Sequence, residues 1–257
     1  MVHPFLDSSG PIAFAHRGAA LGCGENSMRA FRKAVELGYS HVETDVVATS
    51  DGVAVVFHDK TLDRVTDSRG NVGKMTWQQV SKARIRSTDI DGGDPPVRLE
   101  ELLEELPETR FNIDPKTFAA VVPLVAAIKR ADALDRVCIG AFSDRRIQLV
   151  RQALGEHLCV GAGPRGIGRL MSASVSGIRR YQPRFHVAQV PVSFKGLSIV
   201  TPKFLRAAHE LGVPVHVWTI NDANEMHRLL DMGVDGIMTD QPETLKNVMI
   251  SRGCWNS

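Results

Sequence analysis

The sequence contains no uninterrupted apolar run of about 18 residues, the length a membrane-spanning helix needs. Its first eleven residues, MVHPFLDSSGP, lack a basic start followed by a long apolar core, so no secretory signal is visible. Cysteine is scarce. Cys23, Cys138, Cys159 and Cys254 share no C-x-x-C spacing and no local histidine cluster, which argues against a disulfide framework or a zinc site. Reduced thiols in a soluble, cytoplasmic protein are the simplest expectation. An excess of either charge is also missing: the net charge is +2, with no basic run and no aromatic–basic stripe. That balance implies neither nucleic acid nor an anionic membrane surface as a partner. A repeat of fixed period, a low-complexity tail and a phosphate-binding glycine loop are absent too. GAALGCG (Gly18, Gly22, Gly24) is too loosely spaced for a dinucleotide fingerprint, and no P-loop Lys-Ser/Thr follows it.

What is present is ordinary globular material, 257 residues of which 43% are hydrophobic and 23% charged. Eight short apolar runs lie along it, at 12–15, 42–47, 111–114, 137–141, 158–162, 187–190, 214–218 and 235–239. Amphipathic stretches separate most of them. In 25–37, Met28, Phe31 and Val35 recur at helical spacing before Gly38; 201–211 opens at Thr201-Pro202; 222–232 ends at Gly233. Alternating strands and helices predict parallel βα units, and eight of them in about 250 residues fit a (β/α)8 TIM barrel. A doubly wound sheet is the competitor, but the missing phosphate loop counts against it. One interval breaks the rhythm: 48–110 is far longer than a βα connection, and it predicts an insertion between strand 2 and helix 2 of a single domain spanning 1–257. Within it, Asp51-Gly52 signals a hairpin, Trp77–Ala83 a short helix and 98–106 a Leu/Glu helix with a solvated face.

Glu43 and Asp45, two apart on a predicted strand, project to one face. An ion pair with a distant Lys or Arg would satisfy them. Asp114, ending the next barrel strand, adds a third carboxylate and suits a hard divalent cation, Mg²⁺ or Ca²⁺, with oxygen ligands. His16 and His58 each end a strand, and imidazoles converging on such a cluster can act as acid or base. Arg17 and Lys116 supply cations beside it, the Arg fork suiting phosphate oxygens. Together these parts point to metal-assisted phosphoester chemistry.

The stretch HRGAALGCGENSMRAFRKAVELGYSHVETDVVATSDGVAVVFHDKTLDRVTDSRGNVGKMT closely resembles the N-terminal signature of the glycerophosphodiester phosphodiesterases. FNIDPK, VPVHVWTIND and GVDGIMTDQPETL resemble the motifs of the family's third, seventh and eighth strands, so the likeness runs from about residue 12 to 246. The resemblance implies a (β/α)8 barrel and divalent-metal-dependent hydrolysis of glycerophosphodiesters to glycerol 3-phosphate and an alcohol. Position by position, it implies Glu43, Asp45 and Asp114 as metal ligands and His16 and His58 as the acid/base pair. Arg17, Lys116 and Trp218 would meet the substrate, although Trp218 equally suits barrel packing. The sequence departs from the pattern at Asp114, often Glu in the family, at Gly24, commonly Pro, and at Ser27, commonly Thr. Asn26 is expected to brace its loop, Asp59 to orient His58, and Arg165 to face the mouth. Two other functions fit less well: cleavage of lysophospholipid head groups by a phospholipase-D-like relative, and a non-catalytic phosphate-binding barrel. The preferred alcohol, the native metal and the oligomeric state stay open at this level.

Overall fold

The computed structural model describes residues 3–176 and 182–255. Eight parallel strands form its centre: β1 (Ile12–His16), β2 (His41–Ala48), β3 (Arg110–Pro115), β4 (Val137–Ile139), β5 (Cys159–Val160), β6 (Ala188–Pro191), β7 (Val215–Trp218) and β8 (Gly236–Thr239). β1 pairs with β2 on one side and β8 on the other, and pairing continues to β5 and β6. A parallel bridge between Gly161 and Val187 joins those two ends, so the sheet closes on itself. The expected eight-stranded barrel is present, with β2 buried along its whole length as a strand covered on both faces should be.

Each strand is followed by a helix: α1 (Met28–Glu36), α2 (Leu99–Glu105), α3 (Val121–Arg130), α4 (Asp144–Leu154), α5 (Pro164–Ser176), α6 (Pro202–Glu210), α7 (Ala223–Asp231) and α8 (Pro242–Ser251). Their starts follow local chemistry. Ser27 accepts from the Ala30 amide, Thr201 from that of Phe204 ahead of Pro202, and Asp222 from that of Glu225. Asn26 and Ser27 thus precede α1 rather than belong to it.

The insertion ends earlier than its expected 110. Leu99, Leu102 and Leu103 of α2 are fully buried in the barrel core, so this Leu/Glu segment is the barrel's second helix with its glutamates outward. Between β2 and α2, Ala54–Val56 folds back antiparallel on β2 through the Asp51-Gly52 turn, and Val97–Arg98 pairs with it in turn. The short helix stops at Val80. A separate small core of Val55, Phe57, Leu62, Val72 and Val80 holds the insertion together.

The N-terminal end of the barrel is plugged by Phe5, carried on a short 3₁₀ turn (Pro4–Leu6) and packed with Phe14 and Met238. Inside the barrel, Gly140 and Gly161 leave room for Gln189, whose amide donates to Asn112 at 2.9 Å. His216, on β7, is fully buried against Phe14, and neither ring nitrogen has a hydrogen-bond partner. Burial, then the nearby His41, pushes its pKa down to about 3.

The unfolded chain, with an ordinary histidine pKa near 6.5, therefore binds a proton on acidification that the folded state refuses. Stability is full above about pH 6.5 and falls as pH drops toward 3. Urea unfolding at pH 7 and pH 4.5 should show His216→Leu losing about 2 kcal/mol less than the parent over that interval. An unchanged pH dependence in the variant would refute the assignment.

Candidate active site

The carboxylates gather at the C-terminal ends of β2 and β3. Asp45 and Asp114 are register partners on these neighbouring strands, so their side chains emerge side by side. Asp45 is 1% exposed. Lys116 lies between the two, its Nζ 2.6 Å from Asp45 Oδ1 and 2.8 Å from Asp114 Oδ2. Arg17 approaches from β1, with Nε 3.1 Å from Asp45 Oδ2, and Asn26 donates to the same oxygen at 3.3 Å. Burial pushes the Asp45 carboxyl up, but the Lys116 and Arg17 charges outweigh it and hold the group low. Burial and then the Asp45 charge raise the Asp114 carboxyl above the ordinary range, against the pull of Lys116 and Arg146. Glu43 is raised to about 7 by burial and by the Asp45 charge, against the pull of His16, Lys116 and Arg17.

His16 ends β1. Its Nδ1 is 2.6 Å from Asp240 Oδ1 and its Nε2 3.5 Å from Glu43 Oε2. Burial lowers its pKa, yet the Glu43 charge and the Asp240 hydrogen bond prevail, and the imidazole sits above its usual value. Asp240 is held in place by Asn221, which donates to Oδ2 at 3.0 Å and accepts from the Asp240 amide at 2.9 Å. His58, at the edge of the insertion, repeats the arrangement with Asp59 Oδ1 2.6 Å from its Nδ1. An ionised carboxylate can only accept, so both imidazoles carry a proton on Nδ1 and present Nε2 away from their aspartates.

Arg64 ties the halves together. Its guanidinium donates to both oxygens of Asp59 and both oxygens of Glu25, and Glu25 in turn accepts from Arg17 at 2.9 Å. Asp59 is pulled down to about 2, mainly by the Arg64 hydrogen bond. Glu25 is also lowered: burial pushes it up, and the bonds from Arg64 and Arg17 more than offset this.

Seven of the eight expected site residues (His16, Arg17, Glu43, Asp45, His58, Asp114 and Lys116) fall in or beside this cluster. Trp218 ends β7 at the same end of the barrel, half-buried on the core, with its ring edge-to-face against Phe142 at 5.6 Å. Asn26 braces the loop as expected, accepting from Thr44 as well as donating to Asp45. Arg165 is exposed at the start of α5 and its amide meets Asp144; among the described residues no hydrogen bond or ion pair links it to the cluster. Sequence reasoning missed Asp240, Asn221, Arg64 and the second role of Glu25: His16–Asp240 and Arg64–Glu25 join residues 224 and 39 apart, and the nearer pairs, Arg64–Asp59 and Arg17–Glu25, lie in loops that no periodicity marks. The DQP and NDAN turns after β8 and β7 were local hints to Asp240 and Asn221, and Glu25 and Arg64 lie within the family-like stretch that ends at Thr76.

Whether this set suits a divalent cation can be tested on its unpaired oxygens. Glu43 Oε2 and Asp114 Oδ1 are buried without a hydrogen-bond donor, and the donor set is all oxygen. Such orphaned acceptors fit a cation. As the side chains stand, however, no three carboxylate, imidazole or thiolate groups among the described residues converge closely enough to enclose a metal, since Lys116 fills the gap.

Residues 16–244 match the model of the glycerophosphoryl diester phosphodiesterase family. The chain is 39% identical to the Mycobacterium tuberculosis protein named "Probable glycerophosphodiester phosphodiesterase 2" over 98% of this chain and 96% of that one. It is 31% identical to a glycerophosphodiester phosphodiesterase of Caldanaerobacter subterraneus, covering 94% and 99%. Among solved structures, an Oleispira antarctica phosphodiesterase in complex with the product sn-glycerol-3-phosphate superposes with a TM-score of 0.79 at 21% identity, over 94% of this chain and 97% of that one. At that identity the likeness speaks for the fold.

Replacing Asp240 by Asn removes one of the two groups that raise His16. Proton NMR of the imidazole should show its titration moving to lower pH in Asp240→Asn; an unmoved His16 would refute the coupling. Full-length matches at 39% and 31% identity, together with the family match across nearly the whole barrel, show that the chain is an enzyme of the glycerophosphoryl diester phosphodiesterase family.

Proposed function

We propose that the protein hydrolyses glycerophosphodiesters to glycerol 3-phosphate and an alcohol, using His16 and His58 as the acid/base pair and a divalent cation, Mg²⁺ or Ca²⁺, held by Glu43, Asp45 and Asp114. The observation that carries this reading is the pair of imidazoles, each fixed through Nδ1 by an aspartate, beside a pocket of buried carboxylates with unpaired oxygens. Bound there, the cation would neutralise charge building on the phosphoryl oxygens. Lys116 would give up its bridge between Asp45 and Asp114 and turn, with Arg17, toward those same oxygens. One imidazole takes the proton of the attacking glycerol 2-hydroxyl through Nε2, and the other gives a proton to the departing alkoxide as its bond to phosphorus breaks; water then opens the resulting cyclic phosphate to glycerol 3-phosphate, with the two imidazoles exchanging roles. Trp218 would line the glycerol side of the pocket.

Within the insertion, the polar segment STDIDGGDPP exposes only Ile90 among large apolar residues, which supports small soluble diesters as substrates. We place the protein in the cytoplasm; its four free thiols, with Cys138 and Cys159 neighbours on β4 and β5, support a reducing compartment.

Purified protein incubated with glycerophosphocholine or glycerophosphoethanolamine should release glycerol 3-phosphate. A chelator should abolish the release, and added Mg²⁺, Ca²⁺ or Mn²⁺ should restore it. No release from either diester with any of these cations would sink the proposal. His16→Ala should lower turnover by roughly 10²–10⁴-fold with unchanged circular dichroism; near-normal turnover would return His16 to a structural role.

A further inference from the structure

The near-neutral total charge conceals an uneven distribution. From His157 to His209 the sequence carries eight Lys and Arg and no Asp or Glu, so the rest of the chain is net acidic. This stretch builds β5, α5, β6 and most of α6. Three of its cations, Arg165, Lys195 and Lys203, are exposed on segments that follow the C-terminal ends of β5 and β6, the end of the barrel that holds the carboxylate cluster.

Around the same end of the barrel, from β3 to β6, apolar groups are exposed that a soluble rim would hide. After β6 the chain forms a free-standing hairpin, Ser193–Phe194 against Leu197–Ser198, turning at Lys195-Gly196. Phe194 and Leu197 are cross-strand partners on one face, 51% and 57% exposed, and the Lys195 ammonium lies 5.6 Å from the Phe194 ring centre. Phe118 and Phe142, each three residues beyond the ends of β3 and β4, are 55% and 62% exposed, and Arg145 stacks over Phe118 at 5.8 Å.

We propose that this sector of the mouth docks on an anionic phospholipid surface. Single apolar side chains on separate loops, with cations stacked on two of them, match a headgroup layer: the rings and Leu197 reach the acyl boundary while the cations meet lipid phosphates. A protein partner would more naturally meet one continuous apolar face than three separated points. Docking would hold the carboxylate cluster at the headgroup layer, within reach of soluble glycerophosphodiesters arising there. That benefit rests on the proposed hydrolysis, but the binding itself does not.

Cosedimentation of the full chain with sucrose-loaded vesicles of phosphatidylcholine, with and without phosphatidylglycerol, tests the proposal separately from catalysis. Binding should require phosphatidylglycerol and fall as salt rises. Lys195→Ala should weaken it about fivefold, and Phe194→Ser/Leu197→Ser at least about tenfold. Hydrolysis of soluble glycerophosphocholine by both variants should equal that of the parent, as should their thermal unfolding. No binding to anionic vesicles, or binding the variants retain, would overturn the inference. So would a concentration-dependent dimer in light scattering that the double variant abolishes, which would assign the patch to a second copy of the chain. Failure of hydrolysis with intact vesicle binding would refute the proposed activity alone.

Discussion

Two carboxylates on adjacent strands cannot share a dry barrel mouth without a cation between them. Asp45 and Asp114 stand in register on β2 and β3, and the parallel ladder itself fixes their spacing. Neither can move apart without breaking strand pairing. The Lys116 ammonium between them is therefore the least costly arrangement available to the chain by itself, and it explains why Asp45 ionises readily although almost fully buried. The compensation is incomplete. Glu43 and Asp114 both remain raised, and each keeps a buried oxygen without a donor. The Lys116 ammonium and the Arg17 guanidinium do not satisfy three carboxylates between them, and the proposed divalent cation would meet that residual deficit.

From that cluster a continuous run of charge pairs reaches around the mouth. Arg17 links Asp45 to Glu25, Arg64 links Glu25 to Asp59, and Asp59 fixes His58. The insertion thus delivers its histidine through Arg64 as much as through its own strand pairing with β2. His16 needs no such reach, because Asp240 follows β8, the strand next to β1. One imidazole is anchored to the rigid barrel and the other to an appended subdomain with its own small core.

Legibility from sequence followed the range of the interactions concerned. Glu43 and Asp45 could be placed on one face because strand alternation is local, and the helix starts could be found because Ser27, Thr201 and Asp222 cap within three residues. The boundary of the insertion could not: α2 has the same Leu/Glu pattern whether it packs on the barrel or lies outside it, and only the burial of Leu99, Leu102 and Leu103 settles which. Asp240 and Arg64 escaped for a different reason. Each acts through a partner set by barrel closure or by the folding back of the insertion, and no periodicity encodes that. Lys116 was expected near the cluster, but its bridging position depends on the register between β2 and β3, which sequence pattern alone does not give.

Charge summed over the chain proved a poor guide to charge at the surface. A balance of +2 arises from one stretch with no acidic residue and a remainder that is net acidic. Around the barrel the sectors have different tasks. β1, β2, β3 and β8, with the insertion after β2, supply the carboxylates, both histidines and the cations that hold them, and Glu43 Oε2 and Asp114 Oδ1 stay unpaired among them. β5 and β6 supply no part of that network. Their loops can therefore carry exposed Phe194, Leu197 and Lys195 without disturbing the chemistry, and changes there can alter what surface the mouth approaches while leaving the cluster intact.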